Sequence, residues 1–238
     1  MSVSEKLLKY WYPDQQKNGT LIFYDWVRQH TNSQQTVLNL GAGPASKNPL
    51  KVFRGEVARV VGADIDPIVL ANDELDESYV VDGVRLPFED NAIDIVLSDF
   101  VLEHIEFPEQ FIKEVWRVLK PGGSFFFRTP NKYHYVSLIA RCTAHWFHEL
   151  IVNRARGLES DSHEPYQTYY RLNSKREIRK LAKKAGFSQV DLRYVECEPS
   201  YLVFSTIPFL AGVLYERTVN QVDWLSGIRA NIFGRLVR

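Results

Sequence analysis

Residues 37–48 read VLNLGAGPASKN, a short apolar run that ends in two glycines separated by one alanine. No other stretch constrains the fold as much. Glycine has no Cβ, so a chain can turn sharply where a strand stops and can let another group come against its backbone. Gly41 and Gly43 alone also fit an ordinary strand-to-helix turn. Two further strand ends narrow the choice. Arg59 to Ile65 (RVVGADI) is a second apolar run. It carries Asp64 about twenty residues after the glycines, the spacing at which an acid receives ribose hydroxyls in nucleotide-binding sheets. Tyr79 to Val81 is a third run, closing on Asp82 and Gly83. There a carboxylate can accept from an adenine amino group while a neighbouring N–H donates to the ring. The plainer reading of Asp64 is a solvated acid at a strand end, and Asp66 suits a helix cap before Pro67.

The remaining pattern alternates. Thr20 to His30 reads as a helix, Ala92 to Ser98 as a fourth strand and Pro108 to Leu119 as an amphipathic helix stopped by Lys120-Pro121-Gly122-Gly123. Ser124 to Arg128 is a fifth strand and Gln189 to Glu196 a sixth. Ser174 and Glu177 form a capping box for a helix that Gly186 ends. Ile207 to Leu225 reads as helical in one or two pieces. Asn231 to Val237 is a candidate last strand, with Gly234 against it. Strand and helix in alternation imply a mostly parallel sheet covered on both faces. With 238 residues, 45% of them hydrophobic, one large core is within reach. A balance of 29 basic and 29 acidic residues argues against a general nucleic-acid binder. Cys142 and Cys197 are too few for a disulfide framework. The first residues show no apolar signal core, and the uncharged run Pro199 to Tyr215 is broken by Pro208 and Gly212. The expected location is the cytoplasm, with peripheral membrane contact through 199–215 left open.

The blocks VLNLGAGPA, VVGADIDP, VDGVRLPFEDNAIDIVLSDFVLEHI, FPEQFIKEVWRVLKPGG and SFFFRTPN together resemble the class I S-adenosylmethionine-dependent methyltransferases, of the type 11-like kind. They cover Thr36 to Asn131 in the family's order, and KREIRKLAKKAGF extends the likeness. The resemblance implies an α/β fold: a doubly wound, seven-stranded sheet in the order 3-2-1-4-5-7-6 with strand 7 antiparallel. One domain would span 1–238, with an N-terminal cap over 1–35, an aromatic-rich insertion after strand 5 over 131–170 and a lid-like helical segment over 199–229. The implied cofactor is S-adenosyl-L-methionine. Asn39, Gly41, Ala42 and Gly43 would lie at its methionine part, Asp64 at the ribose, Asp82 and Gly83 at the adenine, and Asp99 near the sulfonium and amino-acid end, with Ile65 also cofactor-binding. Asn39 stands where the family often has an acid, and Ala45 where it often has glycine.

Methyl transfer from a sulfonium needs alignment more than a fixed catalytic set. A hydroxyl acceptor would gain from a base, and His104, after the fourth strand, is the first candidate; it serves equally as packing or as a helix start. His134 and Tyr135 follow the fifth strand and either touch the acceptor or anchor the insertion. His145 and His148, beside Glu149, lack a third ligand, so no metal is expected. Trp146, Phe147, Tyr166, Tyr169 and Tyr170 line a pocket or form a satellite core. Tyr10-Trp11-Tyr12 is a candidate cover for the cofactor. Arg171 is either an anion clamp or a partner of the acidic loop that holds His163 and Glu164. The expected acceptor is a small molecule, a sugar or a lipid-linked group. Two other readings remain: a nicotinamide-dependent oxidoreductase, against which the third glycine of G-x-G-x-x-G is missing, and a non-catalytic cofactor-binding relative acting through a partner.

Overall fold

The computed structural model describes residues 2–13, 16–142 and 166–238, with the backbone alone over 140–142. Thirteen regular elements follow in chain order among these residues: α1 Val3–Trp11, α2 Gly19–Arg28, β1 Thr36–Leu40, β2 Arg59–Asp64, β3 Glu77–Val80, β4 Ile93–Asp99, α3 Pro108–Val118, β5 Leu119–Pro130, α4 Tyr135–Cys142, α5 Lys175–Ala185, β6 Gln189–Val195, α6 Thr206–Gln221 and β7 Asn231–Val237. The seven strands form one sheet in the order β3-β2-β1-β4-β5-β7-β6. β1 pairs in parallel with β2 and β4, and β5 in parallel with β4. β7 runs antiparallel: the Gly122 N–H donates to the Arg238 carbonyl, and the Arg238 N–H returns to Gly123. The expected sheet is therefore present in full.

The core is set by alternation along β5. Phe125, Phe126 and Phe127 are all fully buried. Successive side chains on a strand point to opposite faces. Phe126 meets Trp26 of α2 edge-on at 5.3 Å, while Phe125 meets Phe111 of α3 at 6.1 Å. One run of three phenylalanines thus serves both helical layers. On the α2 side Phe233 of β7 adds a T-shaped contact with Phe23 at 5.3 Å. α3 and α5 lie side by side, joined at their surfaces by Lys184 and Glu109 at 2.7 Å. α5 begins and ends as its sequence predicts. Ser174 accepts from the Glu177 N–H, and Gly186 takes a left-handed conformation at φ +100°.

Packing divides the chain into two compact units. One holds Phe23–Thr129, Thr168–Arg193 and Ile232–Arg238, and so nearly all of the sheet. The other holds Met1–Ile22, Pro130–Gln167 and Tyr194–Asn231. Within this second unit α6 buries Phe209, Gly212, Val213, Glu216 and Val219. Trp11 stacks on Phe209 at 6.1 Å, and the Tyr12 hydroxyl donates to Glu216 at 3.0 Å. Trp11 and Tyr12 thus serve α6 within their own unit, while Tyr10 is exposed.

Some local expectations are corrected. Asp66 does cap a turn, accepting from the Ile68 N–H, but Pro67–Ala71 is a 3-10 turn and not an α-helix. Lys120 to Gly123 stops α3 by entering β5, which is longer than the apolar SFFFR run; a register shift between Ile93 and Ile95 absorbs the change. The helical stretch expected over Ile207 to Leu225 in one or two pieces is two pieces, α6 and a separate 3-10 turn, Asp223–Ile228. Gly234 sits inside β7 because a Cβ there would lie 2.0 Å from the Phe127 ring. A strand glycine of this kind marks a close approach. Gly234→Ala should lower stability by about 1–3 kcal/mol, because a fully buried ring has nowhere to move. A denaturant midpoint equal to wild type would show that Phe127 yields.

Candidate cofactor site

The sheet-bearing unit carries a cavity of about 470 Å³ that extends from the carboxyl ends of β1 and β4 along the sheet face, beneath the β1–β2 connection, to Val37 and Val60; its size is within the range of small-molecule pockets. Asn39, Gly41, Ala42 and Asp99, four of the expected residues, line it, together with Tyr24, Ser46, Asn48, Lys51, Phe53 and Glu74. The other expected cofactor residues flank it at the neighbouring strand ends. The Asp64 carboxylate accepts from the Gly43 N–H at 2.8 Å and from the Asp66 N–H at 2.9 Å. A carboxylate offers about four acceptor positions, so those two bonds leave room for hydroxyl donors. The Val81 N–H donates to the Asp64 carbonyl, which brings the end of β3 beside that of β2. Gly83, at φ +77°, lies against Ile65, where a Cβ would meet Ile65 Cγ2 at 3.5 Å. Asp82 is exposed and accepts from the Val84 and Arg85 N–H groups, which hold its carboxyl below the usual range.

The two glycines after β1 have different reasons. Gly41 has φ +73°, and a Cβ on it would fall 2.3 Å from Val101 Cγ2, so the protein's own packing requires it. Gly43 has φ +54° and open space where its Cβ would stand. Its backbone is open on that side, while Gly41 lines the cavity. Three side chains, one at the end of β2 and two beyond it, fix this turn. Asp64 holds the Gly43 N–H, and Asn72 Nδ2 donates to the Gly43 carbonyl at 3.0 Å. Glu74 accepts from the Ser46 N–H and hydroxyl and from the Lys47 N–H. Burial pushes the Glu74 carboxyl up, but these donors outweigh it and hold it below its ordinary value.

Asp99 closes the other side. Its carboxylate pairs with the buried Arg128 guanidinium through Nε and through Nη2 at 2.9 Å, accepts from the Tyr24 hydroxyl at 3.0 Å and meets Lys51 Nζ at 3.0 Å. Burial pushes its carboxyl up, and Arg128 with Lys51 overrides that, so the group stays ionised. The same burial, followed by the Asp99 charge, raises the Tyr24 hydroxyl. Tyr24, Lys51, Asn72, Glu74 and Arg128 were not foreseen. Arg128 alone left a trace, as a charge closing an apolar strand.

His104 lies on the 3-10 turn Leu102–His104 just after β4, with Nε2 4.0 Å from Glu103 Oε1. His134 and Tyr135 belong to the other unit. The His134 ring is buried, 4.2 Å from the Tyr135 ring and 5.6 Å from that of Tyr215. The Tyr135 hydroxyl bonds that of Tyr201. Arg171 donates to the Glu106 carbonyl and lies over the Tyr169 ring. Tyr166 is half exposed. His145, Trp146, Phe147, His148, Glu149, His163 and Glu164 lie outside the described residues.

Asp64→Ala should weaken S-adenosylmethionine binding at least tenfold by calorimetry; unchanged affinity would remove Asp64 from the ribose site. A second expectation concerns buried acids in the other unit. Burial pushes Glu196 up to about 8 and Glu198 up to about 7, and pulls His134 down to about 4. From pH 6.5 to 8 the folded glutamates hold protons that the unfolded chain has released, so they make stability fall as pH rises. Below 6.5 the unfolded histidine gains a proton that the folded one refuses, which lowers stability towards pH 4 and opposes the glutamates. Denaturation across pH 6.5–8 should show a slope that Glu196→Gln reduces; an identical slope in that variant would place Glu196 in an ionised state.

Comparison with known proteins agrees with this geometry. A family model described as a methyltransferase domain matches residues 38–127. The ubiquinone/menaquinone biosynthesis C-methyltransferase UbiE of Klebsiella pneumoniae is 30% identical over 171 residues, covering 66% of this chain and 68% of that protein. A Mycolicibacterium smegmatis protein named "Probable S-adenosylmethionine-dependent methyltransferase" is 31% identical over 123 residues, and the match spans 45% of this chain and about half, 46%, of that relative. Among solved structures, phosphoethanolamine N-methyltransferase 2 of Haemonchus contortus, in complex with S-adenosyl-L-methionine, superposes with a TM-score of 0.54 at 17% identity, over 100% of this chain and 60% of that one. The sheet order, the glycine turn held by Asp64 and these relatives lead to one conclusion: the chain belongs to the class I S-adenosylmethionine-dependent methyltransferases.

Proposed function

We propose that the chain transfers the methyl group of S-adenosylmethionine to a lipid-linked acceptor presented at a membrane surface, and that α6 makes the surface contact. One observation carries this reading. The first two turns of α6 are apolar on both sides. Phe209, Gly212 and Val213 face inward. Ile207, Leu210, Ala211 and Leu214 face outward, with Ile207 80% and Leu214 69% exposed. A helix of a water-soluble surface normally turns polar residues outward, and contiguous exposed apolar patches mark contacts with protein or membrane. Trp224, 83% exposed, stands just beyond the helix, and α4 of the same unit exposes Val136, Leu138 and Ile139. None of the described helices is long and apolar enough to cross a bilayer, so the contact proposed is a surface one. The relatives named for ubiquinone and menaquinone biosynthesis favour a quinone-like acceptor within this class.

The cofactor supplies the electrophilic methyl group. The chain's residues bind, orient and exclude water, which can account for about 7–11 kcal/mol of barrier lowering. Asp64 is assigned the ribose hydroxyls, Asp82 with Gly83 the adenine edge, and the cavity between Asn39 and Asp99 the amino-acid end. His104 is assigned the proton released by the acceptor, a role worth about 10²–10⁴-fold. The choice over Tyr135 and His134 rests on their surroundings: the Tyr135 hydroxyl is engaged by Tyr201, and His134 is buried among rings.

The test uses labelled S-adenosylmethionine with total extracts of bacterial membranes and, separately, with water-soluble extracts. Label should enter the organic-extractable fraction, and the variant Ile207→Ser/Leu214→Ser should lose both that transfer and flotation with phospholipid vesicles while keeping cofactor affinity. Label confined to water-soluble products would overturn the lipid reading. No transfer to any extract, with cofactor binding intact, would favour a non-catalytic relative.

A further inference from the structure

Parallel neighbours in a sheet are joined by a crossover that is usually an α-helix. The N-terminus of such a helix offers free N–H groups and a positive dipole end to an anion. The connection from β1 to β2 lacks that device. Between Gly41 and Ala58 its only helical piece is the 3-10 turn Pro49–Lys51, and Lys47 beside it is left-handed at φ +54°. Lys51 ends that turn, and it is the one cationic side chain that lines the cavity at β1 and β4 among the described residues. Facing it are two carboxylates, Asp99 at 3.0 Å and Glu74. Both are already served: Asp99 by Arg128 and Tyr24, Glu74 by Ser46 and Lys47. An ammonium has three donors, and the contact with Asp99 uses one. The Lys51 side chain remains 34% exposed.

We propose that Lys51 receives the α-carboxylate of the cofactor, in the role that a crossover helix would otherwise fill. Asp64 and Asp82 lie at the ends of β2 and β3, so the nucleoside occupies that side. The amino-acid end then falls at β1 and β4, where the cavity is. That end is a zwitterion, and the cavity presents both signs of charge within one small space. Lys51 is therefore a cofactor-binding residue that discriminates for the carboxylate, and it contributes little to the nucleoside. The inference rests on the cavity being the amino-acid end of the cofactor site.

The experiment titrates the purified full chain with S-adenosylhomocysteine and with its decarboxylated counterpart, in which the α-carboxylate is replaced by hydrogen. Wild type should bind the carboxylated ligand at least tenfold more tightly, as a charge-assisted bond of this kind supports. Lys51→Met should lose that preference, with affinity for the decarboxylated ligand within about threefold of wild type; the bound states are to be compared by calorimetry and by ligand-induced shifts in melting temperature. Equal losses for both ligands would mean that Lys51 acts only by holding Asp99, and would overturn the proposal. So would equal affinity of wild type for the two ligands, a result that needs no variant to fold. Asp64→Ala separates the underlying site assignment: it should weaken both ligands alike, and a loss confined to the carboxylated ligand would invert the assumed orientation.

Discussion

The buried pair of Asp99 and Arg128 holds the functional end of the sheet together. Their side chains are 8% and 6% exposed. Taking two charges out of water is costly, and the cost is recovered only where geometry is good and the remaining donors and acceptors are met. Here Arg128 reaches Asp99 through two nitrogens, Tyr24 adds a hydroxyl and Lys51 an ammonium. The Arg128 guanidinium also lies over the rings of Phe23, Tyr24 and Phe100. Four parts of the chain meet at one carboxylate: the end of β4, the end of β5, α2 and the turn after β1. Removing either member would leave the other buried and uncompensated, a loss of about 3–5 kcal/mol in comparable pairs.

That pair also accounts for an unusual residue beside it. Phe100 follows Asp99 with φ +59°, a conformation that costs a bulky residue about 1–3 kcal/mol. Its N–H donates to the Arg128 carbonyl at 3.0 Å, and its ring sits 4.8 Å from the Arg128 guanidinium. The strand is thus turned out of the sheet immediately after the acid. The chain then enters the short turn that carries His104, and Val101 packs where Gly41 leaves space for it. The glycine turn after β1 and the exit of β4 are two halves of one interlocked piece.

Most of the sheet could be read from the residues, because its cues are local. Apolar runs that end in Gly41, Asp64 and Asp82, the amphipathic α3 and the Ser174 to Gly186 caps each declare themselves within a few positions. What stayed hidden depends on contacts between distant residues. Gly234 reads as a weak strand residue until Phe127 is seen lying across it. Gly41 reads as a sharp turn until Val101 is seen where its Cβ would stand. The stretch SKNPLKVFRG has no period of either kind, so nothing in it singles out Lys51. The Pro67–Ala71 segment carries good capping residues, yet they serve one 3-10 turn as well as they would a helix. Asp64 was expected to await a ribose; its additional hold on Gly43 belongs to the folded loop and has no signature in spacing.

The irregular connection after β1 has a consequence of its own. A helix in that place would be pinned by a continuous ladder of backbone bonds, and an inserted or deleted residue would rotate every side chain beyond it. A turn pinned at separate points by Asp64, Asn72 and Glu74 has no such register to lose. The residues between those contacts can change in number and kind without shifting the strands on either side of them.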